Sequence, residues 1–303
     1  MFEKYPIHIL GKDKFPPLLK EINDPPDLLY IRGALPNPEN KVLAVIGSRK
    51  HSSYGKDVCE ELIDGLRGYP ITIVSGLALG MDGLAHKAAL SAKLQTIAVP
   101  GSGLSEEMLY PHSHFNLAEK ILEAGGGLLS EYPPELQAAP WTFPQRNRIM
   151  AGLSHAILII EARRPSGTLI TARLATDYNR DVLAVPGSIF SDASAGSHFL
   201  IKSGAIPITS SADILAALGF EKKDEDGEKE DKRGVDQTLF SQKYQDCSKD
   251  ELLAIELLRS PMSRDELVRT LASTMPVSQI NILLSLLEIK GLIKESVGLI
   301  RLV

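Results

Sequence analysis

At 303 residues, the chain is long enough for one large hydrophobic core and a smaller second domain. Its composition, with 44% hydrophobic and 23% charged residues, is that of an ordinary globular protein. A formal net charge of -5 excludes a protein that binds nucleic acid over its whole surface, so any basic site must be local.

The cysteines and the N-terminus indicate a cytoplasmic protein. Cys59 and Cys247 fall in different predicted domains, so a disulfide framework is not expected. The N-terminus has charges and a proline where a signal peptide needs an unbroken apolar core. No stretch approaches the roughly 18 apolar residues of a membrane span, so we expect no membrane contact. The histidines and glycine-rich turns form no complete metal or nucleotide motif, and we expect no metal and no cofactor.

Residues 1–40 are rich in proline and too short to form a domain of their own. We expect them to be an N-terminal extension that packs on the main domain, along the edge of its sheet.

Residues 41–220 alternate short apolar runs with amphipathic helical patterns. This alternation predicts an α/β fold with a parallel, doubly wound, Rossmann-like sheet. Several strands are apolar throughout, as expected for parallel strands covered by helices on both faces. The predicted strands are 42–46, 71–74, 96–99, 127–130, 156–160, 182–185 and 206–208, and the predicted helices are 54–67, 82–92, 115–123, 168–178 and 211–218.

Residues 221–248 are expected to be a charged linker, because the stretch EKKDEDGEKEDKR at 221–233 has no apolar residue to bury. Residues 249–303 predict three helices and a hairpin near Gly298, the layout of a small winged-helix domain. This region has seven Lys or Arg and seven Asp or Glu, and its third helix, at about 277–288, has no arginine. A DNA-recognition helix normally carries several contacting side chains. We therefore hypothesise that this domain contacts a protein partner or a second subunit.

Three arginine-containing groups lie near the predicted strand ends, where ligands bind in such sheets. Gly47-Ser48-Arg49 follows the first parallel strand, and Arg163 to Thr168 follows a later one. Between them, FPQRNRIMAGL at 143–153 places two arginines, a glutamine and an asparagine beside an apolar helical run, with no acidic residue near them in the sequence. In the first turn of a helix, the two arginines would reach a common groove. The three groups predict one focused anion site, for the backbone of single-stranded DNA.

The order of these motifs resembles the DprA/Smf family of DNA-processing proteins over roughly residues 15–303. The matching stretches are Asp24-Pro25-Pro26 with Leu29 to Gly33, Gly47-Ser48-Arg49, Ser75 to Ala78 with Gly80 to His86, Phe143 to Ile149, Ser166 to Ala172, and Val185 to Ser188.

The resemblance implies an extended Rossmann-like domain that binds single-stranded DNA without strong sequence preference. It also implies a homodimer, without enzymatic activity, that protects incoming strands during natural transformation and loads the RecA recombinase onto them. Carried over residue by residue, the DNA-binding positions are Gly47, Ser48, Arg49, Gln145, Arg146, Asn147 and Arg148, with the turn of Ser166, Gly167 and Thr168 beside them. The chain departs from the family pattern at Gln145, where Arg or Lys is usual, and at His114 and His198, where Asn is usual.

Two alternatives stay open from the residues. Phe143 either stacks on a base or belongs to the core. The rival function is a LOG-like nucleotide phosphoribohydrolase, which shares the glycine-rich layout and the Gly-Thr helix start. Such an enzyme needs a catalytic carboxylate near Gly167 and Thr168, and the sequence that follows them has none. Glu161, at a predicted strand end, is the nearest substitute.

Overall fold

The computed structural model of the protein describes residues 2–220, 247–258, 262–272, 274–296 and 299–302. The chain forms two compact units, Met1–Lys223 and Asp224–Val303. Almost all of the predicted linker, and the predicted turn at Gly298, lie outside the described residues.

The first unit is organised by a nine-stranded sheet. Its strands are β1 (His8–Gly11), β2 (Leu28–Gly33), β3 (Lys41–Ile46), β4 (Ile71–Ser75), β5 (Gln95–Ala98), β6 (Gly127–Ser130), β7 (Ala156–Ile159), β8 (Asp181–Ala184) and β9 (Ile206–Pro207). They lie in the order β1-β2-β6-β5-β4-β3-β7-β8-β9. All neighbours from β6 to β9 in this order are parallel. The predicted α/β fold with a large parallel sheet is therefore confirmed.

Helices cover both faces of this sheet. They are α1 (Pro17–Lys20), α2 (Ser53–Asp64), α3 (Met81–Ser91), α4 (Phe115–Glu123), α5 (Thr142–Leu153), α6 (Gly167–Asp177), α7 (Ala195–Lys202) and α8 (Ser211–Ala217). The helices and strands predicted for this unit lie close to the observed ones, and the largest shift is at the end of α2.

Strand β3 shows why the central strands are apolar throughout. Val42, Ala44 and Ile46 belong to the hydrophobic cluster that contains residues of α1, α5 and α6. Leu43 and Val45 belong to the opposite cluster, with residues of α2, α3 and α8. Because successive side chains of a strand point to opposite faces, a strand covered on both faces buries every residue.

The first forty residues extend the sheet itself, which the sequence did not predict in this form. Strand β2 pairs antiparallel with β6, and β1 pairs antiparallel with β2. The Arg32 side chain is buried and donates hydrogen bonds to the carbonyl oxygens of Leu104, Phe2 and Tyr5. A single buried guanidinium thus links the N-terminal residues to the main body of the unit.

The second unit has its own hydrophobic core, which includes Ile255, Leu267, Leu284 and Ile300. Its elements are α9 (Lys249–Leu257), β10 (Met262–Ser263), α10 (Arg264–Leu271), α11 (Val277–Ile289), β11 (Ile293–Ser296) and β12 (Leu299–Leu302). The strands form an antiparallel sheet in the order β10-β12-β11. Three helices and a small sheet are compatible with the predicted winged-helix layout.

Helix α11 carries apolar side chains on two faces. Leu283, Leu284 and Leu287 are buried in the core of the second unit. Ile282 and Ile289, in contrast, are 62% and 82% exposed. An exposed apolar row of this kind is suited to contact with another protein surface.

Candidate nucleic-acid interface

The candidate site lies where the order of the parallel strands reverses. From β3 the chain continues to β4 on one side, whereas β7, the neighbour of β3 on the other side, continues to β8. The loops that follow β3 and β7 therefore leave the sheet in opposite directions, and a crevice opens between them. Ligands of open α/β sheets bind in such crevices.

A cleft of about 580 Å³ occupies this position, and we call it the switch-point cleft. It is lined by Ile46, Gly47, Ser48, Arg49, Ala78, Asp82, Pro140, Phe143, Pro144, Arg146, Asn147, Met150, Arg163, Pro165, Ser166, Gly167, Thr168, Ile170 and Thr171. Eight of the ten predicted DNA-binding residues are in this lining, and Gln145 and Arg148 are not.

Helical periodicity explains which residues of α5 reach the cleft. Phe143, Arg146, Asn147 and Met150 are spaced i, i+3, i+4 and i+7, so they share one face of the helix.

The loop after β3 is ordered by its own turn and by its neighbours. The Ser48 hydroxyl donates to the Lys50 carbonyl at 2.9 Å and accepts from the Lys50 amide at 3.1 Å. The Ser48 carbonyl accepts the amide hydrogen of Met81, the first residue of α3. Gly80, with φ of +85°, is needed at this contact, since a Cβ there would lie 2.4 Å from the Arg49 carbonyl oxygen.

A buried carboxylate joins this loop to the end of β7. Glu161 is 2% exposed and accepts hydrogen bonds from the amide of Ser52 at 2.9 Å and from its hydroxyl at 2.5 Å. The same hydroxyl accepts the amide hydrogen of Gly55 and so caps the N-terminus of α2. Both oxygens of Glu161 are therefore engaged in holding the loop.

Exposed arginines provide the positive charge of the cleft. The guanidinium of Arg49 lies 5.0 Å from the ring centroid of Phe143, a cation–π contact that fixes its position over the cleft. Arg163 is exposed at the other wall. Within the described part of the chain, neither Arg49 nor Arg163 forms an ion pair, so both charges are available to an anion.

Phe143 supports Arg49 from within the site. Its ring packs against Gly101, where a Cβ would lie 2.6 Å from the ring, and lies 5.9 Å from the ring of Tyr110. The ring is thus partly buried and has a structural role at this position, whichever base contact it also makes.

Arg146 lies at the floor of the cleft and is 4% exposed. Its guanidinium donates to the Val99 carbonyl and lies near the buried carboxyl of Asp82. Burial lowers the pKa of Arg146 and raises the pKa of Asp82, while the attraction between the two opposes both shifts. The phosphate contact expected of Arg146 stays a prediction, and much of its hydrogen-bonding capacity is already used inside the protein.

Helix α6 points its N-terminus into the cleft. Ser166 occupies the N-cap position, but its side chain makes no capping hydrogen bond to the first turn. The Thr168 hydroxyl lies 3.4 Å from the Gly47 carbonyl oxygen and connects this helix start to the loop after β3. An uncapped helix N-terminus has free amide hydrogens and a partial positive charge, and both favour an anion.

Gln145 and Arg148 line a second pocket together with Asp24, Asp27 and Glu131. Arg148 forms a hydrogen-bonded ion pair with Glu131, and its guanidinium also donates to the Asp24 carbonyl at 2.6 Å. The expectation that Arg146 and Arg148 share a groove is therefore wrong. Helix α5 begins at Thr142, so both residues lie beyond its first turn. Because they are two positions apart, a rotation of about 200° separates them and they point to nearly opposite sides of the helix.

The acidic partners of Arg148, Asp24 and Glu131, are distant in the sequence, so the absence of acidic residues from 143–153 did not reveal them. DNA contacts of Gln145 and Arg148 stay predictions to which this geometry gives no support.

Two residues of the cleft were not selected from the sequence. Arg163 belongs to one of the basic groups noted above, and its position shortly after a predicted strand could have identified it. Asp82 is the second residue of α3, and only the fold brings its carboxyl into the cleft that Gly167 and Thr168 also line.

A profile of the family described as DNA recombination-mediator protein A matches residues 7–219. The chain belongs to this family. Among its relatives, the DNA processing protein DprA of Streptococcus pneumoniae is 42% identical over 221 residues, which cover 72% of this chain and 76% of that protein. Protein Smf of Escherichia coli is 43% identical over 215 residues, 70% of this chain but only 57% of the relative.

Solved structures of family members have the same fold. The X-ray structure of DprA from Streptococcus pneumoniae matches with a TM-score of 0.65 at 42% identity, over 71% of this chain and 75% of that one. A structure of DNA processing protein A from Helicobacter pylori, described by its single-stranded DNA binding mode, matches with a TM-score of 0.62 at 28% identity. That match covers 72% of this chain and 98% of the other.

Among the described residues of this family member, no helix combines the length and apolar character needed to span a membrane. The same residues include no group of three or more His, Cys, Asp or Glu placed to hold a metal ion.

Replacement of Arg148 by alanine is expected to lower the free energy of unfolding by about 3 kcal/mol at neutral pH, since it leaves a largely buried carboxylate unpaired. Replacement of the exposed Arg49 by alanine is expected to change it by less than about 0.5 kcal/mol. Urea denaturation of the two variants measures this difference.

The deficit of the Arg148 variant should also depend on pH. Burial raises the pKa of Glu131, and Arg148 opposes that shift. Without Arg148, the pKa of Glu131 should rise further. A carboxyl with a raised pKa in the folded protein costs stability as the pH rises through that pKa, and the stability returns as the pH falls, because the protonated carboxyl needs no cation. The deficit should therefore shrink towards about pH 4, and a constant deficit over that range would contradict the buried pair.

Proposed function

We propose that this chain binds single-stranded DNA in the switch-point cleft and does so without enzymatic activity. The observation that carries the proposal is the convergence at one crevice of two unpaired, exposed arginines, Arg49 and Arg163, with the uncapped N-terminus of α6. Cations and helix N-termini are the groups that proteins use for phosphate oxygens. The relative from Helicobacter pylori, whose structure is described by its single-stranded DNA binding mode, supports the same ligand.

A biological role follows from membership of the family. We propose that the bound strand is protected after DNA uptake and that the chain acts as a recombination mediator, loading RecA onto the strand during natural transformation. The family description, a recombination mediator, supports this role. We also propose that the protein acts in the cytoplasm as a homodimer, so that each assembly presents two clefts to one strand.

The second unit is proposed to contact protein and not DNA. Its residues 249–303 include seven Lys or Arg and seven Asp or Glu, so they give no net attraction to phosphate. The exposed side chains of α11 include Ile282, Leu286 and Ile289, which are apolar. These features support docking on a partner or on the sister subunit.

One observation favours the alternative function, a LOG-like nucleotide phosphoribohydrolase. The carboxyl of Asp82 lines the same cleft as Gly167 and Thr168, and burial raises its pKa. A cleft carboxyl with a raised pKa is a candidate general acid. Against this, Asp82 is 7% exposed and already accepts a hydrogen bond from the Gly76 amide at 3.1 Å. Glu161, the substitute considered from the sequence, has both oxygens bound to Ser52.

Replacement of Arg49 or Arg163 by alanine should weaken single-stranded DNA binding and flatten its log–log salt dependence by about 0.7 for each phosphate that is no longer neutralised. Fluorescence anisotropy of labelled single-stranded and duplex oligonucleotides over a salt series measures affinity and slope together. We expect the wild type to prefer the single strand.

The matched control for this series is Arg67→Ala. Arg67 is exposed, although it pairs with Asp64, and it follows the C-terminal end of α2 just before β4 begins. It therefore lies at the amino ends of the strands, away from the cleft. The Arg67→Ala substitution removes the same charge as the cleft variants and should leave the salt slope unchanged. Equal slopes in all four proteins would mean that the cleft arginines do not contact phosphate.

Incubation with nucleoside monophosphates should release no free base, because the Asp82 carboxyl is buried and hydrogen-bonded and both oxygens of Glu161 are held by Ser52. Chromatography of the reaction mixture measures this directly. Base release by the wild type that disappears in Asp82→Asn would support the hydrolase and overturn the proposed function.

A chain that ends after residue 220 should bind single-stranded DNA with nearly wild-type affinity, because the hydrophobic clusters around the sheet and the whole cleft lie in the first unit. The same anisotropy assay tests it, with circular dichroism to verify folding. A large loss of affinity in a folded truncated chain would refute the protein-docking role of the second unit.

A further inference from the structure

The loop after β8 exposes two large apolar side chains beside each other. Ile189 is 80% exposed and Phe190 is 93% exposed. Within the described part of the chain, no other large apolar side chain is as exposed as Phe190. A phenylalanine exposed to this degree has no role in the core, and its ring is accessible to a ligand.

The exposure belongs to an ordered loop. Two hydrogen bonds hold the start of the loop. The Tyr54 hydroxyl donates to the Pro186 carbonyl at 2.8 Å, and the His198 ring donates to the Gly187 carbonyl at 3.0 Å. At the tip, Ser188 accepts the amide hydrogen of Phe190 on its hydroxyl oxygen. Because stem and turn are already fixed, a ligand would bind this tip with little cost for ordering it.

The tip lies on the same edge of the sheet as the switch-point cleft. Strands β3, β7 and β8 are consecutive neighbours, and the loops at their carboxyl ends carry Arg49, Arg163 and Phe190 in that order. Two inter-strand spacings of about 4.8 Å separate the first of these strands from the third. The loops after β7 and β8 are also joined directly, since the Ala162 amide donates to the Ala193 carbonyl at 2.9 Å.

Two arginines lie on the loop next to the tip, whereas Asp192 follows Phe190 by two positions on the loop of the tip itself. Arg163 and Arg164 are both exposed on the adjoining loop. The Arg164 guanidinium is held 3.9 Å from the ring centroid of Phe199, a residue of α7. An exposed aromatic ring on one loop and exposed arginines on the next loop match a strand whose phosphates are anionic and whose bases have free faces.

We propose that Phe190, with Ile189 beside it, is a base-stacking site for the single strand where it leaves the cleft past Arg163. This inference rests on the proposed function and deepens it. Base–aromatic stacking needs an unstacked base, which a single strand offers and an intact duplex does not. The site therefore adds affinity for single strands without reading sequence.

The test compares two oligonucleotides of equal length, oligo-dT and an abasic strand with the same number of phosphates. Phe190→Ala should weaken binding of oligo-dT at least about fivefold, the factor expected when one base can no longer stack, and leave the abasic strand unaffected. The salt slope should stay that of the wild type, since no charge is removed. Phe190→Trp should retain wild-type affinity for oligo-dT.

The control variant is Ile9→Ala, because Ile9 is 63% exposed on β1, the outermost strand on the side of the sheet away from β8. Wild-type affinity of Phe190→Ala for oligo-dT would overturn the stacking site, even if Arg49→Ala flattens the slope as proposed. An unchanged slope in Arg49→Ala would instead count against the proposed function. If Phe190→Ala lost affinity equally for oligo-dT and the abasic strand, and sedimentation gave a lower mass for the variant than for the wild type, the stacking site would be overturned. The tip would then be a contact between copies of the chain.

Discussion

The hydrogen bonds between Glu161 and Ser52 join the two strands on which the site depends. At a switch point, the loops of neighbouring strands diverge, so the sheet alone does not fix their separation. The Glu161 carboxylate spans this gap by capturing the residue that caps α2. The loop that bears Arg49 is then held at both ends, by β3 and by the capped helix. Gly55 permits the approach, since a Cβ there would lie 2.4 Å from a Glu161 oxygen.

The distribution of ion pairs explains how an acidic chain can offer a local anion site. Buried arginines of the first unit have internal partners, Arg146 at the Val99 carbonyl and Arg148 at Glu131. Exposed Arg49 and Arg163 have no acidic partner among the described residues, so their field is directed into the cleft. With a net charge of -5, the remainder of the chain contributes no general attraction to polyanions. The proposed phosphate contacts therefore depend on the arginines at this edge of the sheet and not on the net charge.

The fold class and most of the cleft could be predicted because they depend on local patterns. Apolar runs indicated strands buried on both faces, and small residues after them indicated where backbone could approach a ligand. The strand order could not be predicted in this way, because the pairing of β3 with β7 joins residues more than 100 positions apart. Without that order, Asp82 could not be assigned to the same crevice as Arg49.

The error at α5 has a similar physical origin. Residues 145–148 form one motif in the sequence, but a helix rotates each successive residue by about 100°. The outcome therefore depended on where the helix begins. A start at Thr142 turns Arg146 and Asn147 to the cleft and Gln145 and Arg148 to the acidic pocket.

The two units differ in the kind of surface that they expose, and this difference favours separate roles. Phosphate binding requires unpaired cations and free amide hydrogens, which the first unit concentrates at one edge of its sheet. Helix α11 of the second unit exposes Ile282, Leu286 and Ile289, which lie four and three positions apart and so form one stripe. Such a stripe gains free energy only when another apolar surface covers it, and a phosphate backbone offers none. Helix α11 is therefore suited to contact with protein, because covering its apolar stripe removes few polar groups from water.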